Sequence, residues 1–190
     1  MAAFVQSLLV IFLAEMGDKT QLVSLAFATR YSARVVLGGI FVATLAVHLF
    51  SVGIGELLGL ALPLFWIHVL AGLAFIGFGL WTLRGDTLEG EAIGHKPRLG
   101  PFLTVATTFF LAELGDKTML ATVTLASQQQ AFVPVWLGST LGMVVADGLA
   151  IWIGVVAGKR LPARAIQLGA AAIFLGFGAW TLLGAFLGWE

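Results

Sequence analysis

Apolar residues run along this chain in stretches too long to be the buried stripe of a soluble helix. Six stand out, at about 4–28, 35–60, 64–84, 101–126, 133–157 and 164–187. Each meets the roughly 20 residues that a helix needs to cross a bilayer. None has the period-2 alternation of a membrane β-strand. The pattern predicts an all-α integral membrane protein with six transmembrane helices. The first stretch lacks a basic leader, so it reads as a retained helix rather than a cleaved signal. The one long hydrophilic stretch, residues 85–100, reads as a solvated loop between the third and fourth helices.

The polar positions inside these stretches repeat. Phe12-Leu-Ala-Glu-Met-Gly-Asp-Lys-Thr20 returns as Phe110-Leu-Ala-Glu-Leu-Gly-Asp-Lys-Thr118, identical at eight of nine positions and displaced by 98. Residues 75–85 return at 174–184, displaced by 99, and Leu37-Gly38 returns as Leu137-Gly138, displaced by 100. The chain therefore divides into a three-helix repeat at 1–84, the linker 85–100 and a second three-helix repeat at 101–190. An odd number of spans per half turns the second half upside down. Inverted repeats are a common architecture of secondary transporters, which bind substrate near the midplane where the repeats meet.

Composition agrees with a membrane protein: 59% of residues are hydrophobic and 11% charged, against about 25% charged in soluble domains. The absence of cysteine excludes disulfides and thiolate metal sites. Zero net charge gives no footprint for a nucleic-acid partner. Arg30, Arg34, Arg84, Lys96, Arg98, Lys159, Arg160 and Arg164 all follow the first, third and fifth stretches, and the opposite side carries no Lys or Arg. That bias puts both termini outside the cytoplasm.

Charge within a membrane span costs about 2.5–3.5 kcal/mol per residue at the helix centre on an insertion scale, and it marks a functional site by default. Placed on an ideal helix, Glu15 and Asp18 project within about 60° of one another, with Lys19 to the other side of Glu15. Glu113, Asp116 and Lys117 repeat this. Gly17 and Gly115 permit either close helix approach or a local break, which at this depth must line a cavity or be buried in protein. Four carboxylates and two lysines sum to −2, which one divalent cation or two protons would neutralise. Oxygen donors suit Mg²⁺, Ca²⁺ and Mn²⁺. The expected metal residues are Glu15, Asp18, Glu113 and Asp116. Lys19 and Lys117 would hold the carboxylates ionised without metal, although Glu15–Lys19 and Glu113–Lys117 also read as structural i,i+4 pairs.

Gln21 continues the first motif where Met119 stands in the second, a softer contact or a packing residue. Thr20 and Thr118 lie about 140° from the glutamates on an ideal helix, and reach the ion only if the glycine distorts it. His48 and Asp147 occupy equivalent depths, displaced by 99. Asp147 reads as a fifth acid, a proton carrier or a hydrogen-bonded packing group, and His48 as structural. Glu56, Trp66 and His68 fall near the outer interface. Two other classes fit parts of this pattern: an exporter of amino acids or other small molecules on six helices, and an intramembrane aspartyl protease with Asp18 and Asp116 as its dyad. The glutamate and lysine beside each aspartate suit the second poorly.

The paired Glu-x-Gly-Asp-Lys-Thr motifs, one per half, resemble the signature of the calcium/manganese–proton exchanger family, which includes the Golgi cation exchanger of eukaryotes and manganese exporters of bacteria. The likeness covers essentially the whole chain. It implies a transporter rather than an enzyme, exporting Mn²⁺ or Ca²⁺ in exchange for protons across the cell's inner membrane. It implies no cofactor, the cation being cargo, and partners limited to the bilayer, the metal ion and protons. Glu15, Asp18, Glu113 and Asp116 match the family's acidic positions, and Lys19, Thr20, Lys117 and Thr118 match the rest of the motif. Gln21 fits the glutamine often found next, and Met119 departs from it.

Overall fold

The computed structural model describes residues 1–84, 100–156 and 163–188, and these residues are helical with short connections and no strand. In order they form α1 (Ala2–Glu15), α2 (Lys19–Ala28), α3 (Ala33–Ala61), α4 (Leu64–Arg84), α5 (Pro101–Glu113), α6 (Lys117–Gln129), α7 (Phe132–Ile151), a π-helical turn (Trp152–Val156) and α8 (Ala163–Leu187). Among the described residues, four helical segments are long and apolar enough to cross a membrane: Ala33–Ala61, Leu64–Arg84, Phe132–Gly154 and Leu168–Leu187. The other two predicted stretches, 4–28 and 101–126, differ from expectation. Each is two helices with a break at the motif glycine. The linker 85–100 lies outside the described residues except for Gly100, as do Lys96, Arg98, Lys159 and Arg160.

Large apolar side chains cover the exterior, among them Leu57, Leu60, Trp180 and Phe186. Apolar exposure on this scale would aggregate a soluble monomer, so the surface is one built for lipid, and the protein is a multi-pass membrane protein. Hydroxyls within the helices bond back to carbonyls one turn earlier, as in Thr44 to Ile40, Ser51 to Val47 and Thr140 to Trp136. That leaves them satisfied without water.

Helices α3 and α7 pack on the motif helices of the other half. On α3, Gly39 lies against Val105 and Ala106 of α5, and Gly55 against Val123 and Ala126 of α6. On α7, Gly138 lies against Phe4 and Ser7 of α1, Gly142 against Leu8 and Phe12, and Gly154 of the π turn against Leu25 of α2. Both registers run parallel. At Gly55 and Gly142 a Cβ would strike backbone of the neighbour, so these helices meet at the closeness small residues permit. By contrast α4 and α8 run antiparallel, with Gly72 against Leu182 and Gly79 against Leu175 and Ala171. Phe75 stacks on Phe174 at 6.2 Å between the same two helices.

Among the described residues two apolar cores result. One joins Ile11 and Ala14 of α1 to Ala121 and Leu125 of α6, with Phe75, Phe78 and Phe174. The other joins Val23 and Phe27 of α2 to Val105 and Phe109 of α5, with Val36, Ile40 and Ile151. Each broken pair thus passes from one core to the other, in opposite order along the chain. The breaks, and with them the charged residues, fall between the cores.

Candidate transport site

Each motif ends one helix and starts the next by the same sequence of backbone conformations. After Glu15, Met16 is extended (φ −63°, ψ 120°), Gly17 takes φ +77°, and Asp18 (φ −79°, ψ 164°) caps the start of α2. After Glu113, Leu114 (φ −66°, ψ 113°), Gly115 (φ +80°) and Asp116 (φ −78°, ψ 169°) repeat the path. Positive φ disfavours any side chain, and glycine is the residue that adopts it without strain. Aspartate is among the preferred helix N-caps; Asp18 Oδ1 accepts from its neighbour Lys19 N–H at 2.7 Å. In both breaks the aspartate N–H still bonds to the glutamate carbonyl, at 3.0 Å in the first and 3.2 Å in the second.

A break exposes backbone donors that must be met. Residue i+4 from the glycine meets them. Gln21 Oε1 accepts from Gly17 N–H at 2.7 Å, and Met119 Sδ accepts from Gly115 N–H at 3.2 Å. Gln21 also donates through Nε2 to Ala146 O at 3.0 Å, anchoring the first break to α7 one residue before Asp147. No separate sequence signal marked this clamping role; it follows from the glycine's conformation.

The break also turns both threonines toward their glutamates. Thr20 Oγ1 donates to Glu15 Oε1, and Thr118 Oγ1 donates to Glu113 Oε2 at 2.5 Å. The ideal-helix separation of these pairs does not hold, because the left-handed glycine rotates everything after it. Glu15, Asp18, Glu113, Asp116, Lys117, Thr20 and Thr118 are all buried, and Lys19 is partly so.

The lysines cross between motifs. Lys117 Nζ lies 3.0 Å from Asp18 Oδ2, with both side chains essentially solvent-free. Lys19 Nζ lies 4.0 Å from Asp116 Oδ1, with 22% of its side chain exposed. Glu15 stands within electrostatic range of Glu113, Asp147 and Asp18, and Glu113 within range of Asp116, Asp18 and Asp147. One oxygen of each glutamate and both oxygens of Asp147 are buried without a hydrogen-bond partner among the described residues. The structure therefore brings both motifs and Asp147 into one neighbourhood. Among the described residues, however, no three His, Cys, Asp or Glu side chains converge on a point that would hold a metal ion.

His48 is fully buried on α3, and its Nδ1 sits 3.4 Å from Thr140 Oγ1 of α7. His68 lines a recess of about 220 Å³ with Gln6, Gln129, Phe177, Trp180 and Thr181. There Gln129 Nε2 donates to Gln6 Oε1 at 2.7 Å, a cross-half contact between two amides that carry no motif.

The GDT1 divalent cation/proton antiporter family matches residues 3–90 and 101–189. A protein of Vibrio cholerae named "Putative manganese exporter" is 37% identical over 181 residues, which cover 92% of this chain and 88% of that protein. GDT1-like protein 5 of Arabidopsis thaliana is 29% identical over 95% of both chains. A GDT1-like protein of Synechocystis is 29% identical over 95% of this chain and 98% of its own. No solved structure matches.

Proposed function

This chain belongs to the GDT1 family of divalent cation/proton antiporters, and on that premise we propose that it exports Mn²⁺, with Ca²⁺ as a second cargo, in exchange for protons. The site is the pair of motif breaks: Glu15, Asp18, Glu113 and Asp116 take the cation, with Asp147 as a fifth, accessory carboxylate. The observation that carries this reading is the meeting of the two breaks through Lys117–Asp18 and Lys19–Asp116. Helix ends supply the field around them: the carbonyl ends of α1 and α5 favour a cation, while the N–H ends of α2 and α6 favour the carboxylates.

The broken pairs α1–α2 and α5–α6 are the first and fourth of six spans, which form two inverted repeats, 1–84 and 101–190. Two features support the inversion. The broken pairs visit the two apolar cores in opposite order. The helices α3 and α7 each run parallel to the motif helices of the other half, and α4 and α8 run antiparallel. The family matches on 3–90 and 101–189 support the division into two repeats. In the proposed topology the linker 85–100 is cytoplasmic, both termini lie outside the cytoplasm, and the membrane is the inner one.

Charge balance couples the two fluxes. The four motif carboxylates and two lysines sum to −2, and a state with neither cation nor protons leaves that charge in a low-dielectric layer. Two protons or one divalent cation removes it, so each alternates with the other. Protons moving inward down their gradient then drive the metal out. In inverted vesicles, an acidic lumen should drive Mn²⁺ accumulation, less Ca²⁺ and least Mg²⁺, and collapse of the gradient should stop it. Uptake that ignores the pH gradient would refute proton exchange. Transport of amino acids with no metal flux would refute the cargo.

A further inference from the structure

Resting on the site reading above, we infer that Lys117, and to a lesser degree Lys19, is a tethered counter-ion that competes with the transported cation for the aspartate of the opposite motif. The lysine leaves when the metal binds and returns when it departs.

Four observations carry this. First, the pairing is crosswise. Lys117 begins α6 in the second half, and its ammonium sits 3.0 Å from Asp18 at the break of the first half. A purely local i,i+4 pair would have joined Lys117 to Glu113. Second, the contact is dry, with 3% and 0% of the two side chains exposed. A buried ionised carboxylate that loses its partner is strongly disfavoured, so Asp18, while it stays ionised, keeps a positive charge beside it whenever no cation is bound. Third, an oxygen held at 3.0 Å by an ammonium cannot also face a doubly charged ion without severe repulsion between the two cations. Occupancy by one excludes the other. Fourth, no three acidic side chains among the described residues close on a common point; in this arrangement the aspartates are directed at lysines. Lysine suits a displaceable role because its compact charge rides on a flexible four-carbon stem. Arginine's rigid fork would favour a fixed pair.

The two contacts are unequal. At 4.0 Å and 22% exposed, Lys19 is already loosened from Asp116. The cation therefore meets Asp116 first, and Asp18 is released last. Since Lys117–Asp18 also ties one half of the protein to the other, its release frees the halves to move when cargo is aboard.

The test uses the purified full chain, with Mn²⁺ affinity read by titration calorimetry and ⁵⁴Mn²⁺ flux read in proteoliposomes. Lys117→Gln removes the competitor, so Mn²⁺ should bind more tightly, by on the order of 5–150-fold, the usual range for coupled sites. Flux should fall, because the cation lacks a group to replace it. Lys19→Gln should shift both in the same direction by less. Lys117→Arg keeps the competing charge in a more fixed pair, so Mn²⁺ should bind no more tightly than to the native chain. A lysine that merely props up the fold predicts the opposite sign, weaker binding. Unchanged or weaker binding in Lys117→Gln, alongside loss of binding in Asp18→Asn, overturns the competition and leaves the site standing. Native Mn²⁺ binding in both Asp18→Asn and Asp116→Asn overturns the site itself. Should Lys117→Gln fail to fold, Lys19→Gln decides: tighter binding supports the inference and unchanged or weaker binding rejects it.

Discussion

The two motif breaks share a backbone path and eight of nine residues, yet they are held to different standards. The first is clamped by an amide that grips Gly17 and reaches on to α7, and its aspartate is locked in a dry ion pair. The second is clamped by a thioether, a weak acceptor, and its aspartate faces a lysine at 4.0 Å. Leu114 and Gly115 are exposed, where Met16 and Gly17 are half-buried. One break is thus a fixed post and the other a yielding jamb. Near-identity of sequence does not impose identity of stiffness: beyond Met16 against Leu114 inside the motif, the next position departs too, and that change, Gln21 against Met119, falls on the residue that closes the break.

The largest expected effect comes from deleting the aspartates. Asp18→Asn and Asp116→Asn should each reduce Mn²⁺ flux to background. The former should also destabilise the protein by about 3–5 kcal/mol, the usual consequence of orphaning one member of a buried pair, and the latter by less, because its lysine is 22% exposed. Equal melting temperatures for the two variants would erase the distinction between post and jamb.

Next are the glycines. Alanine at Gly17 or Gly115 should cost about 1–2 kcal/mol through left-handed strain alone. At Gly115 no atom would obstruct the new Cβ within 4 Å. Gly115→Asn should therefore recover most of what Gly115→Ala loses, since asparagine tolerates that conformation. If the asparagine variant melts and transports as poorly as the alanine one, space rather than torsion is at issue.

A smaller effect attends the clamps. Met119→Gln should raise stability by about 1 kcal/mol, the worth of one ordinary hydrogen bond, and Gln21→Met should lower it similarly. Met119 Sδ is engaged with Gly115 N–H, so Met119→Gln should leave the Mn²⁺/Ca²⁺ flux ratio unchanged. A shift toward Ca²⁺ would make the sulfur a ligand instead. The smallest change is Gln6→Ala, which removes one amide contact to Gln129 at the recess. It should leave flux near wild type and melting lowered by no more than the same single bond; a marked change in flux would make that contact part of the transport route.

Much of this was legible beforehand, and the reasons differ by feature. The apolar stretches and the repeated motif are one-dimensional signals; the described residues of each stretch are helix or a helix pair, and four of those segments are long and apolar enough to cross a membrane. Asp147 was placed by its displacement from His48, and it does join the acidic neighbourhood. The breaks were only half legible: a glycine amid good helix formers is compatible with a continuous helix and with a left-handed stop, and the tertiary setting chose the stop. Everything downstream of that choice moved with it, including Thr20, Thr118 and the glycine clamps. The crosswise lysines were not legible, because the spacing of Lys117 to Glu113 satisfies a local pair equally well. Partners in another half leave no trace in local spacing.

Trp136 donates through Nε1 to Leu45 O at 2.8 Å. A bond from an indole to the main chain of another helix splices α7 to α3, and His48 beside Thr140 adds a second rivet. Since α3 leans on one motif and α7 on the other, these two helices behave as a common keel. A rocking stroke would then have to pivot around that keel, carrying the flanking α4–α8 pair as its outrigger.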